Sequence, residues 1–100
     1  MKKIINGKMY DTKTAKEVGY YDNGAYGRFS YFEETLYRKR TGEFFLYGSG
    51  DANSRYRKYR NGYQTGSEEI IPLTEDKARK WMEQHASVED YIKVFSEPDE

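Results

Sequence analysis

Cations and aromatic rings alternate between residues 55 and 63, and they are the side chains in this sequence best suited to binding chemistry. The stretch contains Arg55, Tyr56, Arg57, Lys58, Tyr59, Arg60 and Tyr63. Arginine and lysine can neutralise phosphates and tyrosine rings can stack on unpaired bases, so the pattern indicates a surface for nucleic acid or another anionic partner. A second run of cations, Arg38, Lys39 and Arg40, is predicted to extend this surface from a hairpin tip.

The same pattern is also typical of a solvated face. Arginines can stack on neighbouring tyrosines or balance an acidic half of the same chain, and a net charge of zero is unlike a dedicated nucleic-acid-binding protein. Both interpretations place the segment at the surface, because burying four cations without partners would cost several kcal/mol each.

The sequence does not indicate catalytic residues. His85 is the only histidine and there is no cysteine, so a general base would depend on one ring and no thiolate metal site or thiol nucleophile can form. Glu33 and Glu34 are adjacent, which on a strand points them to opposite faces, and they are interpreted as solvating, edge-protecting charges. We therefore predict a protein that is not an enzyme and has no catalytic residue, metal, cofactor or small-molecule substrate.

Residues 48–51 (GSGD) have the glycines of a phosphate-binding loop but lack the Gly-x-x-x-x-Gly-Lys-Ser/Thr pattern. A flexible connection between strands is the better interpretation. A triad of Ser49, His85 and Asp51 has no strand-turn-helix context to support it.

Length, composition and charge distribution limit the kind of fold that carries these residues. The length of 100 residues predicts a single domain over residues 1–100, and 17% aromatic residues predict a small, ring-rich core. A cut after residue 66 separates thirteen Lys/Arg and seven Asp/Glu (+6) from four Lys/Arg and ten Asp/Glu (−6). This asymmetry could steer a charged partner or draw the two halves together. No apolar stretch suits a signal peptide or a membrane span.

Turn and cap signals predict the N-terminal elements. Asn6-Gly7 between two short apolar runs predicts a tight hairpin. Asp11 or Thr12 is predicted to cap a short helix through Val18, which Gly19 ends.

Two long antiparallel strands are predicted over residues 29–40 and 43–48, after an exposed loop at residues 20–27. A three-residue bulged turn with Gly42 in the left-handed conformation sets their register. That register pairs Leu36 with Leu46, Tyr37 with Phe45, and Lys39 with Glu43.

A last short strand is predicted at residues 68–73, and it either lies at an edge or ends at Pro72, because Pro72 cannot donate to a ladder. Thr74 and Ser87 are predicted to cap two helices. The fold class is therefore α+β, a small antiparallel sheet with an N-terminal hairpin and short helix, and two C-terminal helices packed on one face. The predicted core consists of Leu36, Phe44, Leu46, Ile71, Trp81, Met82, Tyr91, Ile92 and Phe95.

Three stretches resemble small accessory proteins of Firmicutes phages and mobile elements, namely residues 1–12 (MKKIINGKMYDT), 36–48 (LYRKRTGEFFLYG) and 70–74 (IIPLT) ahead of Trp81. Some members of that group are type II-A anti-CRISPR proteins, which bind Cas9 or interfere with its guide RNA. The resemblance implies a Cas9 inhibitor in the cytoplasm of a host bacterial cell. Its partners would be the CRISPR effector protein, the guide RNA or both, with no membrane involved.

Other functions stay open from the residues alone. The chain could be a single-stranded RNA- or DNA-binding module that uses residues 55–63, or a non-catalytic protein-interaction module. An exposed edge strand and surplus aromatic rings would also suit a homodimer. The acidic half, with Glu83, Glu89, Asp90 and Glu97, could imitate nucleic-acid phosphates against a basic groove.

Overall fold

The computed structural model describes residues 1–99, which form eight β-strands followed by two α-helices. The elements are β1 (Lys2–Ile5), β2 (Lys8–Asp11), β3 (Lys16–Asp22), β4 (Phe32–Arg38), β5 (Phe44–Gly50), β6 (Lys58–Arg60), β7 (Tyr63–Thr65), β8 (Ser67–Leu73), α1 (Glu75–His85) and α2 (Val88–Phe95). Strands β3-β4-β5-β8 form a four-stranded antiparallel sheet, while β1–β2 and β6–β7 are separate hairpins. The predicted α+β class, with an N-terminal hairpin and two C-terminal helices, is confirmed.

The register predicted for the central hairpin is confirmed. Leu36 lies opposite Leu46 in β4–β5, and the turn closes where the Lys39 N–H donates to the Glu43 carbonyl at 2.8 Å. Gly42 has a φ of 92°, in the left-handed region. The strands differ from the predicted ranges at their far ends, because β4 begins at residue 32 and β5 continues to residue 50.

The short helix predicted from residue 11 to Val18 is wrong. Asp11 does cap a turn, since its side chain accepts from the Lys13 N–H at 2.9 Å, but the chain then enters strand β3. Gly19 lies inside that strand, and a Cβ there would come within 2.8 Å of the Trp81 ring. The glycine therefore makes room for helix α1 and does not end a helix.

The two helices pack on one face of the central sheet, as predicted. Thr74 and Ser87 cap α1 and α2 by accepting from backbone N–H groups. The buried core between sheet and helices consists of Leu36, Phe44, Leu46, Ala78, Trp81, Met82 and Phe95, with Ile71 and Tyr91 partly buried against it. Ile92 is half-buried.

The opposite face of the sheet has a second, smaller core that the sequence analysis did not predict. Tyr10, Phe45 and Ile70 are its buried members. The Tyr10 ring meets the Phe45 ring edge-on at 5.4 Å, which fastens the N-terminal hairpin to the sheet. The sheet therefore has a buried cluster on each face.

Strand β8 lies at the edge of the four-stranded sheet and contains Pro72, as predicted. Among residues 1–99, neither helix is long and apolar enough to cross a membrane.

Candidate functional site

The cationic, tyrosine-bearing segment forms a hairpin of its own. Strands β6 and β7 pair around Asn61 and Gly62, whose φ values of 49° and 81° suit a tight hairpin turn. This hairpin was not predicted from the sequence, although Asn61-Gly62 is the same turn signal as Asn6-Gly7. We call residues 57–65 the basic hairpin.

Cations and rings are distributed over both faces of the basic hairpin. Lys58 and Arg60 are two residues apart and so share one face, where Tyr63 lies opposite Arg60. Tyr59 projects from the other face. Tyr59 and Tyr63 are 67% and 75% exposed, so both residues are available to a partner.

Hydrogen bonds hold the Tyr59 ring and the base of the hairpin. The Gln64 side-chain amide donates to the Tyr59 hydroxyl at 3.2 Å, and Arg57 donates to the Ser54 carbonyl at 3.1 Å. The hydrogen bonds from Gln64 and Arg57, with the positive charge of Arg57, lower the pKa of Tyr59. The surface is therefore partly organised before any partner binds.

Tyr56 is not part of this surface, which corrects its predicted role as a stacking ring. The residue is only 5% exposed, and its hydroxyl donates to the Glu34 carboxylate. Burial and this hydrogen bond raise the pKa of Tyr56. A strand residue, Gly48, makes space for the ring, because a Cβ on Gly48 would overlap it.

Glu34 is the centre of a buried polar cluster, and its interpretation as a solvating charge is wrong. Its side chain accepts from the Trp81 indole N–H at 3.0 Å, from Arg55 at 3.3 Å and from the Tyr56 hydroxyl. The residue is 2% exposed. Glu34 lies two residues before Leu36 on the same strand, so both side chains face the helices. The alternation of side chains along the strand therefore already indicated that Glu34 points toward the core.

Arg55 is consequently tied to the fold. Its guanidinium pairs with Glu34 and lies 5.2 Å from the Phe32 ring centroid, although 59% of the side chain is exposed. The cluster of Glu34, Arg55, Tyr56 and Trp81 fixes the chain immediately before the basic hairpin. The predicted site is thus divided into two parts. Arg55 and Tyr56 are held to the fold through Glu34, and the exposed remainder consists of Arg57, Lys58, Tyr59, Arg60 and Tyr63.

The second cationic run does not extend the basic hairpin. Arg38 pairs with Phe44 at one end of β4–β5, whereas Phe32 pairs with Gly50 at the other end, next to the Arg55 cluster. Lys39 is committed to the fold, since its ammonium lies 3.6 Å from the Tyr10 ring centroid and 3.6 Å from Glu43. The predicted joint surface is therefore wrong, with only Arg38 and Arg40 exposed at the far end.

The residues considered for catalysis are not brought together. Ser49 is in β5 and points away from the helices, while His85 ends α1 on the helical side. The His85 ring lies 3.8 Å from the Tyr21 ring and 5.1 Å from the Trp81 ring, centroid to centroid, and burial lowers the pKa of His85. Within residues 1–99, no three His, Asp or Glu side chains form a group that could hold a metal ion.

No protein-family model, curated protein or solved structure matches the chain.

Proposed function

We propose that this chain is a non-catalytic binding protein whose basic hairpin contacts a polyanionic partner. The observation that carries the proposal is the composition of the exposed surface there. Residues 52–67 contain four Lys/Arg and no Asp or Glu, and Arg57, Lys58 and Arg60 are exposed beside the open rings of Tyr59 and Tyr63. Phosphates are the anions that such a surface recognises best.

The ion pairs of the chain support a binding role over a purely structural one. If these cations balanced the acidic C-terminal half, they would pair with it. Within residues 1–99, the only ion pair from this segment is that of Arg55 with Glu34, and none involves Arg57, Lys58 or Arg60. Within the described residues, no acid of the chain therefore neutralises these three charges, and an external anion can do so.

The partner we propose is the type II CRISPR effector Cas9 with its guide RNA. The support for this identity is the sequence resemblance to phage and mobile-element accessory proteins, some of which are anti-CRISPR proteins. The basic hairpin suits an encounter with the guide RNA or the target DNA strand, because both present phosphates and unpaired bases.

A Cas9 cleavage assay tests this partner. The chain is added in excess either before or after guide loading, and cutting of a target duplex is measured. We expect inhibition, and we expect the variant Arg57→Glu/Lys58→Glu/Arg60→Glu to inhibit much less. If inhibition requires addition before guide loading, the chain blocks guide loading, by contact with the guide RNA or with the protein surface that receives it, and binding to the free guide RNA separates these two. Unchanged cutting at both orders of addition would refute Cas9 as the partner.

A second candidate is a module that binds free single-stranded RNA or DNA. The exposure of Tyr59 and Tyr63 between cations favours it, because stacking on rings is open only to unpaired bases. Titration of labelled single strands across salt concentrations tests it. Neutralisation of three phosphates predicts a slope of log affinity against log salt of about −2.

A further inference from the structure

We propose that the loop of residues 23–31 supplies a second stacking ring, Phe29, and that this loop and the basic hairpin together bind single-stranded nucleic acid. The inference rests on the proposed function, because it specifies the class of polyanion that the basic hairpin contacts. It adds an element that neither the cationic pattern nor the resemblance indicated.

The loop is fastened next to the base of the basic hairpin. The Asn53 N–H donates to the Phe29 carbonyl at 2.8 Å, and the Asp51 N–H donates to the Tyr31 carbonyl at 2.9 Å. Arg57 binds the carbonyl of Ser54, the residue that follows Asn53. The backbone of Phe29 and the guanidinium of Arg57 are therefore attached to consecutive residues.

The Phe29 side chain is 77% exposed, and no large hydrophobic residue among residues 1–99 is more exposed. The loop that presents it is nevertheless ordered by its own contacts. Asn23 donates to the Ser30 carbonyl at 2.7 Å, Tyr26 donates to Asp22 at 2.6 Å, and the Tyr26 and Tyr31 rings pack at 5.2 Å. An apolar ring on an ordered, exposed loop is a ready platform for stacking.

The charges around the ring select a phosphate-bearing partner. Residues 23–32 and 52–67 together contain five Lys/Arg, including Arg28 next to Phe29, and no Asp or Glu. The acids that border these two segments are Asp22, Glu33, Asp51 and Glu68. All but Asp51 accept a hydrogen bond from a tyrosine hydroxyl. Exposed rings beside cations suit unpaired nucleotides, because the bases of a duplex are already stacked on each other.

The test measures binding of labelled oligo(U) and oligo(dT) of about 12 nucleotides, within the usual site size for such surfaces, and of a duplex of the same length. The variants are Phe29→Ala, Phe29→Leu and Phe29→Tyr. Ala and Leu should weaken single-strand binding roughly five-fold to a hundred-fold. Tyr, which keeps a ring, should bind like the wild type.

The salt dependence of binding distinguishes the contribution of ring stacking from that of charge. Phe29 carries no charge, so its loss should leave the slope of log affinity against log salt unchanged and should not affect duplex binding. Ile4→Ala is the matched control, because Ile4 is 69% exposed but lies on the N-terminal hairpin. An unchanged melting temperature establishes that each variant is folded.

Three outcomes would overturn the inference. Normal binding by Phe29→Ala, while the Arg57/Lys58/Arg60 reversal abolishes binding, removes Phe29 from the site and leaves the proposed function intact. Equal weakening of single-strand and duplex binding by Phe29→Ala excludes stacking. Wild-type protein that inhibits Cas9 without binding free single strands overturns the inference and leaves a protein surface as the partner.

Discussion

At the residue scale, Glu34 joins three parts of the fold through one side chain. It belongs to β4, and it accepts from Trp81 of α1 and from Arg55 and Tyr56 ahead of the basic hairpin. A buried carboxylate persists only with such donors, since an unpaired charge in the interior would be neutralised or expelled. The same contact therefore stabilises helix packing and positions the start of the binding segment.

Glu34→Ala should lower the free energy of unfolding by about 3–5 kcal/mol, because the buried Trp81 N–H, the Tyr56 hydroxyl and the Arg55 charge lose their acceptor together. Chemical denaturation monitored by Trp81 fluorescence measures the loss. The matched control is Glu33→Ala, on the opposite face, where the carboxylate accepts only from the less buried Tyr20 and Tyr31. The control should lose about 1 kcal/mol or less. Equal losses would contradict the central role of Glu34.

His85 predicts a pH dependence of stability. Burial lowers the pKa of His85 below the ordinary value of 6.5, with the charge of Glu34 opposing this shift and that of Arg55 adding to it. As pH falls below 6.5, the unfolded chain binds the proton first, so stability present above this pH is lost as pH falls toward the folded pKa. His85→Gln should show a smaller loss of melting temperature between about pH 8 and about pH 5. Identical losses in both proteins would show that His85 is not desolvated.

At the scale of elements, the glycines of β5 allow the turn after it to fold back over the strand. A Cβ on Gly48 would overlap the Tyr56 ring, and a Cβ on Gly50 would meet the Ser54 hydroxyl. Residues 48–50 were predicted to be a flexible connection, but they are strand residues that accept close neighbours. Small residues in a strand interior are typical of such close approaches.

Gly48→Ala should therefore destabilise the protein by about 1–3 kcal/mol, as expected for an overpacked site. Ser49→Ala, at the next position on the other face, is the control and should have little effect. The melting temperature of each variant measures the change. In a Tyr56→Ala background, where the ring is gone, the added methyl of Gly48→Ala should be tolerated. A destabilisation that is the same in both backgrounds would refute the overlap.

Local signals in the sequence predicted the elements better than the contacts between them. Asn6-Gly7, Thr74 and Ser87 act within a few residues, so the hairpin and both helix caps could be predicted. The role of Gly19 could not be predicted, because a side chain at this position would collide with the ring of Trp81, which is distant in the sequence. Glu34 was misjudged for the same reason, since its donors come from residues 55, 56 and 81.

The candidate site was predicted in part. Exposure of Arg57, Lys58 and Arg60 follows from the cost of burying charge, and it is confirmed. Tyr59 and Tyr63 are exposed beside them. The residues next to a tyrosine do not indicate whether its hydroxyl will bind a buried acceptor. The burial of Tyr56, in contrast to Tyr59 and Tyr63, could therefore not be predicted.

At the scale of the whole molecule, the body is elongated, and the basic hairpin and the exposed acids of the helices belong to separate elements. The principal extents are 49 × 33 × 20 Å. The basic hairpin forms its own sheet beside the central one, and the helices carry exposed acids such as Glu83, Glu89 and Asp90. The basic hairpin can therefore attract a polyanion locally while the net charge of the chain stays at zero.

This arrangement predicts that folding and binding separate in the variant Arg57→Glu/Lys58→Glu/Arg60→Glu. All three side chains are exposed, so each change should alter stability by only about half a kcal/mol. Binding to single strands and inhibition of Cas9 should both be lost, because the phosphates would meet carboxylates. Arg55 stays unchanged, since a glutamate there would face the buried carboxylate of Glu34.

A second triple charge reversal, outside the basic hairpin, tests whether binding depends on where the cations lie or only on the net charge of the protein. Lys3→Glu/Lys13→Glu/Lys16→Glu also changes exposed cations and also takes the net charge from zero to −6, three reversals of two units each. These residues lie in β1, in the turn after β2 and at the start of β3. This variant should keep its affinity at physiological salt and lose only long-range attraction at low salt.

If both variants lose binding equally, overall charge governs binding and the basic hairpin is not the site. If the basic-hairpin variant binds normally, the acidic surface of the helices becomes the better candidate for the contact.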